Sequence, residues 1–102
     1  MLASALDGVR VVDLSRILAG PWCTQNLADL GAHVLKIERP VKGDDTRGWG
    51  PPFVTADSGE TVAAYFLACN RGKHSVTLDF ALSRERDWLL RQIQDADVLV
   101  EN

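Results

Sequence analysis

Apolar positions along the chain fall into short runs with two different periods. Val9–Ser15 (VRVVDLS) is a β-branched run behind Asp7-Gly8, and its length and flanks predict a buried strand. His33–Glu38 (HVLKIE) predicts a second strand, stopped by Pro40. Between them Cys23, Leu27 and Leu30 recur at i, i+4 and i+7, the stripe of a helix. Pro21 suits its first position, where no N–H is needed, and Gly31 its C-cap. Ser75–Phe80 (SVTLDF) alternates, with Val76, Leu78 and Phe80 on one side and Ser75, Thr77 and Asp79 on the other, a third strand. Ser83 is placed to cap a second long helix whose stripe is Leu89, Ile93 and Ala96, with Trp88 and Leu90 beside it. Asp97–Asn102 (DVLVEN) reads as a fourth strand.

The stretches between these elements are less regular. Arg39–Glu60 is a Gly- and Pro-rich excursion, longer than most structureless loops, and Trp49 and Phe53 are expected to pack it onto something. Thr61–Cys69 reads as a short helix with an Ala-rich face, and Asn70–His74 as a turn. Strands and helices alternate, so the fold class is α/β with a mainly parallel sheet flanked by helices. The first strand, helix and strand form a βαβ unit, for which a right-handed crossover is expected.

Composition narrows the function. At 102 residues one domain at most is expected, and 46% hydrophobic with 25% charged residues is ordinary for a globular protein. A net charge of −3 and a pI of about 5.2 give no support to nucleic-acid binding, which favours a basic face. No apolar run is long enough for a membrane span, and Met1–Arg10 lacks the basic and apolar regions of a signal peptide. Cys23 and Cys69 form no C-x-x-C pair and read as free thiols, so a cytoplasmic protein is expected.

In an open parallel sheet, ligands bind beyond the carboxyl ends of the strands. Those ends bring together Arg16–Gly20, Arg39 and Pro40, Asp79–Ala81, and Asn102. Gly20 would let a ligand approach the backbone, and the helix beginning near Pro21 aims free N–H groups at the same place, which suits phosphate. Arg39 adds a planar donor fork. Neither G-x-G-x-x-G nor G-x-x-x-x-G-K-[ST] is present, and a plain tight turn at Gly20-Pro21 is the commoner meaning of such spacing. His33 and His74 are too isolated to suggest zinc; His33 reads as a strand-edge residue and His74 as a loop residue. Cys23 could be activated at a helix N-terminus, but a small apolar residue on the buried stripe is the commoner case. Asp44 and Asp45 are more often solvated or bonded to their own turn than catalytic, and Arg71 and Lys73 fit a solvated turn at least as well as a phosphate contact.

Taken in order, LDGVRVVDLSRILAGPWCTQNLADLGAHVLKIERP, GDDTRGWGPPF, NRGKHSVTLDF and DADVLVEN resemble the N-terminal part of the family III CoA-transferases, the CaiB/BaiF group. The resemblance covers essentially all 102 residues. It implies a Rossmann-like α/β domain, an interlinked homodimer, and transfer of CoA from an acyl-CoA to a carboxylate acceptor, with coenzyme A or acyl-CoA as substrate and no metal. It also implies an aspartate that attacks the thioester, giving a mixed anhydride and then an aspartyl-CoA thioester. The family's CoA contacts fall on Leu18 and Ala19, on Arg39 near the phosphates, on Leu78, Asp79, Phe80 and Ala81 near the adenosine, and on Asn102. Formyl-CoA transferase has glutamine where Leu18 stands, which points away from formyl or oxalyl specificity, and lysine where Ala81 stands, so a phosphate contact is lost.

The implied nucleophile lies beyond Asn102, so Asp44, Asp45 and Asp79 do not match it. Residues 1–102 are accordingly expected to be an N-terminal CoA-binding segment, a fragment inactive by itself. A standalone nucleotide- or CoA-binding module and an acyl-CoA racemase are the alternatives. The GDDTRGWGPPF segment favours the transferase branch over the racemase one.

Overall fold

The computed structural model describes residues 3–102; Met1 and Leu2, where the reading of the N-terminus as free of a signal peptide begins, lie outside the described residues. The elements are β1 (Arg10–Asp13), α1 (Ala19–Asp29), β2 (His33–Glu38), a 3-10 turn (Asp45–Gly48), β3 (Phe53–Thr55), β4 (Thr61–Ala63), α2 (Ala64–Asn70), β5 (His74–Thr77), α3 (Ser83–Gln94) and β6 (Val98–Val100). Strands β5, β2, β1 and β6 form one sheet in that order, every neighbouring pair parallel. The expected α/β class with a mainly parallel sheet is what the chain adopts.

The pleat sends successive residues of β1 and β2 to opposite faces, and the two faces differ in kind. Val12, Leu35 and Ile37 meet Leu89, Trp88 and Ile93 of α3 in a wholly apolar layer, joined by Val76 and Leu78. On the other face Val11, Ala32 and Val34 pack with Leu27 and Ala28 of α1. Toward the carboxyl ends of the strands that same face turns ionic: Asp13, Lys36 and Glu38 are all buried. Charges buried this deeply need partners, since removing them from water is costly.

Their partners come from the excursion, from α1 and the connection before it, and from the turn after α2, and the excursion is held in place by the charges it pairs with. Lys36 donates from Nζ to Asp44 at 2.9 Å and to the Ser15 carbonyl at 3.1 Å. Glu38 accepts two parallel bonds from Arg47, each 2.7 Å, plus the Asp44 amide. Asp13 accepts from the Ser15 amide, the Ser15 and Thr24 hydroxyls, and Lys73. The Arg47 guanidinium also lies 3.9 Å from the centre of the Phe66 ring of α2, a cation–π stack.

Several local expectations are corrected. The excursion contains β3, which pairs antiparallel with β4, so Thr61–Ala63 is strand and only Ala64 onward is helix. Trp49 packs edge-on against Tyr65, as expected of it, with ring centres 5.5 Å apart. The third strand of the main sheet starts at His74 and stops at Thr77, leaving Leu78–Phe80 as a loop beyond its end. His74 is therefore a strand residue, and its ring stacks on that of His33 at 4.9 Å. Ser83 is the first residue of α3 and makes no side-chain cap.

The buried face of α1 is not the expected stripe. Cys23 and Leu30 are exposed, while Gly20, Pro21, Thr24 and Gln25 are buried. The helix turns this way because Thr24 must reach Asp13, and because Gln25 donates to the Arg71 carbonyl. Pro21 is the third helical residue rather than the first. Gly31 ends the helix as expected, at a left-handed φ of +106°, with its N–H bonded to the Ala28 carbonyl.

Candidate functional site

A cleft of about 370 Å³ opens beyond the carboxyl ends of β1, β2 and β5. Arg39 and Leu78, Asp79, Phe80 and Ala81 line it, five of the eight residues singled out from sequence. They converge because β5 hydrogen-bonds β2, and the Leu78 amide extends the ladder by donating to the Glu38 carbonyl at 3.0 Å. The loop then turns on Asp79, whose carboxylate accepts the Ala81 amide at 2.9 Å. Phe80 is left about half exposed beside it.

The other three residues stand apart from this cleft's lining. Leu18, in the connection from β1 to α1, is about half exposed, and Ala19, the first residue of α1, is exposed. Asn102 grips that connection from the far side: its side chain accepts the Arg16 amide at 3.3 Å and donates to the Arg16 carbonyl at 2.8 Å. It thus sits where the sheet order reverses, between β1 and β6.

Gly20 plays a different part from the one its sequence context suggests. A Cβ there would lie 2.1 Å from the Ser15 Cβ, so the glycine makes room for Ser15 rather than for a ligand. Ser15 and Ile17 shape the same connection. Ile17 holds a left-handed φ of +76°, unusual for a β-branched residue, with its N–H 3.3 Å from both Asp44 oxygens.

Asp44 is the hub of the cleft floor. Fully buried, it caps the 3-10 turn through the Thr46 amide and hydroxyl, and pairs with Lys36. Burial opposes its ionisation, but the Thr46 and Lys36 bonds outweigh that and lower its pKa. It is bonded to its own turn, as the adjacent-carboxylate pattern suggests, yet it is not solvated. Glu38 follows the same logic: burial raises its pKa, while Arg47, Ser75 and the Asp44 amide bring it down to about 2. Lys73 is corrected from a solvated turn residue to a buried one, bonded to Asp13, Asn70 and the Pro21 carbonyl, and burial pushes its pKa down. Arg71 stays at the surface, paired with Asp29.

Arg16, which sequence reasoning placed only within a strand-end loop, lines the cleft opposite Arg39. Both arginines bind the Asp45 carboxylate, Arg16 at 3.1 Å. Only the pairing of β1 with β2 brings these arginines, 23 positions apart in sequence, to one mouth.

The model of CoA-transferase family III matches residues 6–102. The chain belongs to CoA-transferase family III. Among its relatives, a succinate–glutarate CoA-transferase of Agrobacterium fabrum is 51% identical over 98 residues, 95% of this chain and 24% of that protein. A mouse succinyl-CoA:glutarate CoA-transferase is 50% identical, over 95% of this chain and 21% of its own length. A crystal structure of a CaiB/BaiF family protein from Brucella suis superposes with a TM-score of 0.92 at 56% identity, covering 97% of this chain and 26% of that one. The chain thus spans about a quarter of the length of the proteins it matches. Among the described residues no helix is long and apolar enough to cross a membrane.

Proposed function

We propose that residues 1–102 are the N-terminal CoA-binding part of an enzyme that moves CoA from an acyl-CoA to a carboxylic acid. The supporting observation is the convergence of Arg39 with Leu78–Ala81 on one cleft at the strand ends, where the family resemblance puts the phosphates and adenosine of CoA. Leu18, Ala19 and Asn102 complete the contact set from the β1–α1 side, Asn102 by fixing the Arg16 backbone.

The nucleophile is an aspartate supplied by the remainder of the enzyme. It attacks the thioester carbonyl and expels CoA thiolate, forming an acyl-aspartyl anhydride. The thiolate then attacks the aspartyl carbonyl, releasing the free acid and leaving aspartyl-CoA, which the acceptor carboxylate consumes. The local carboxylates are engaged elsewhere: Asp44 with Lys36, Asp45 with two arginines, and Asp79 with the Ala81 amide. A short dicarboxylate acceptor is favoured, because several relatives are named for succinate, glutarate or mesaconate. The whole enzyme is an interlinked homodimer in the cytoplasm, where the free thiols Cys23 and Cys69 would stay reduced.

Calorimetric titration of the 102-residue chain with CoA tests the reading. Binding weaker than about 1 μM is expected, because much of the site comes from the remainder of the enzyme. Arg39→Ala should weaken it about fivefold or more, the value of a charge-assisted contact. Absence of CoA binding overturns the reading; equal affinity in the variant removes Arg39 from the site.

A further inference from the structure

Arg16 and Arg39 leave the ends of adjacent parallel strands and meet on a single carboxylate. Arg16 binds one oxygen of Asp45 and Arg39 the other, so the two guanidiniums bracket one anion as they would bracket a phosphate. Among the described residues, Asp45 is the one carboxylate within ion-pair distance of either arginine. Both arginine side chains are about half exposed, 54% and 49%, and both line the cleft.

The neighbouring carboxylate shows what a permanent ion pair looks like here. Asp44 and Lys36 are 0% and 1% exposed, and Asp44 also holds the Thr46 and Ile17 amides, so nothing can take its place without dismantling the floor. Asp45 carries no such duty. Among the described residues its carboxylate hydrogen-bonds only to the two arginines, and the 3-10 turn is capped by Asp44. Exposed ion pairs are worth at most about 1 kcal/mol each, so an incoming anion can exchange with this one. A phosphate offers more oxygens and more charge than a carboxylate and suits the planar guanidinium fork.

We propose that Arg16 is a second anion-binding side chain of the cleft, and that the Asp45 carboxylate is a built-in placeholder. It holds both guanidiniums at the mouth until a phosphate group of CoA displaces it. This rests on the CoA-binding reading above. The placeholder keeps the two arginines from repelling each other and from drawing in stray anions, at the expense of affinity for the substrate.

Calorimetry on the 102-residue chain decides the matter, with CoA and with pantetheine, which has no phosphate. Asp45→Asn preserves size and removes the competing charge; it should bind CoA about threefold to tenfold tighter, with pantetheine unchanged. Arg16→Gln, at an exposed position, should weaken CoA binding and abolish the gain from Asp45→Asn in the double variant. Circular dichroism checks that each variant is folded. If the unaltered chain binds CoA and folded Asp45→Asn binds it no tighter, or if Arg16→Gln changes nothing, the placeholder is overturned while CoA binding stands. If neither the unaltered chain nor Asp45→Asn binds CoA, the CoA reading falls and the placeholder with it.

Discussion

Glu38 shows how much one buried carboxylate can hold. It sits at the end of a central strand and ties the excursion to β5 through Arg47, Ser75 and the Asp44 amide. Its pKa is lowered from an ordinary 4.5 to about 2, so it stabilises the fold fully above pH 4.5, and that contribution is lost as pH falls toward 2. Glu38→Gln leaves the Arg47 fork half-used and should cost about 3 kcal/mol near neutrality, as breaking a buried pair does. Urea unfolding across this pH window checks both points. The variant should show a flatter pH profile than the parent, and parallel profiles would remove Glu38 as the acid-sensitive link.

At the scale of elements, the β1–α1 connection depends on a close fit between two small residues. Ser15 occupies the space that a side chain at residue 20 would need. Gly20→Ala should therefore cost about 1–3 kcal/mol, the range for overpacking a tight core. In a Ser15→Gly background the same change should be neutral or stabilising, since Ala is a better helix former than Gly. Thermal melts of the four proteins form the cycle, and additive costs would show that the contact is not the cause. The fit matters beyond stability, because Arg16 and Leu18 ride on this connection and Ala19 opens the helix it leads into.

The whole molecule is open for its size. Its radius of gyration is 14.2 Å, against roughly 13 Å for a compact domain of 100 residues. At one flank β6 is an edge strand with Val98 and Leu99 exposed at 37% and 46%, and Leu90 of α3 is exposed as well. An uncovered apolar edge invites pairing with another strand. The chain should associate as its concentration rises and should take up hydrophobic dye, and Leu99→Lys should reduce both. Sedimentation velocity with dye fluorescence measures this; a monodisperse, dye-free chain would show that the edge is already protected.

Much of this architecture was legible in sequence. The runs at Val9–Ser15 and His33–Glu38, the glycine after α1 and the stripe on α3 specify a parallel α/β unit, because period and punctuation are local properties. A cleft at the strand ends followed from them, with Arg39 and Asp79–Ala81 at those ends, while Leu78 entered through the family resemblance. The β3–β4 hairpin was hidden because strands of three residues are too short to show a period. The buried face of α1 was hidden because polar residues line it: Thr24 and Gln25 face inward only to meet Asp13 and Arg71, remote in sequence. The ionic floor of Asp13, Lys36, Glu38 and Asp44, and the meeting of Arg16 with Arg39 on Asp45, arise the same way. Hydrophobic pattern is written along the chain, whereas the pairing of buried charges depends on which strands lie side by side, and tertiary structure alone decided that.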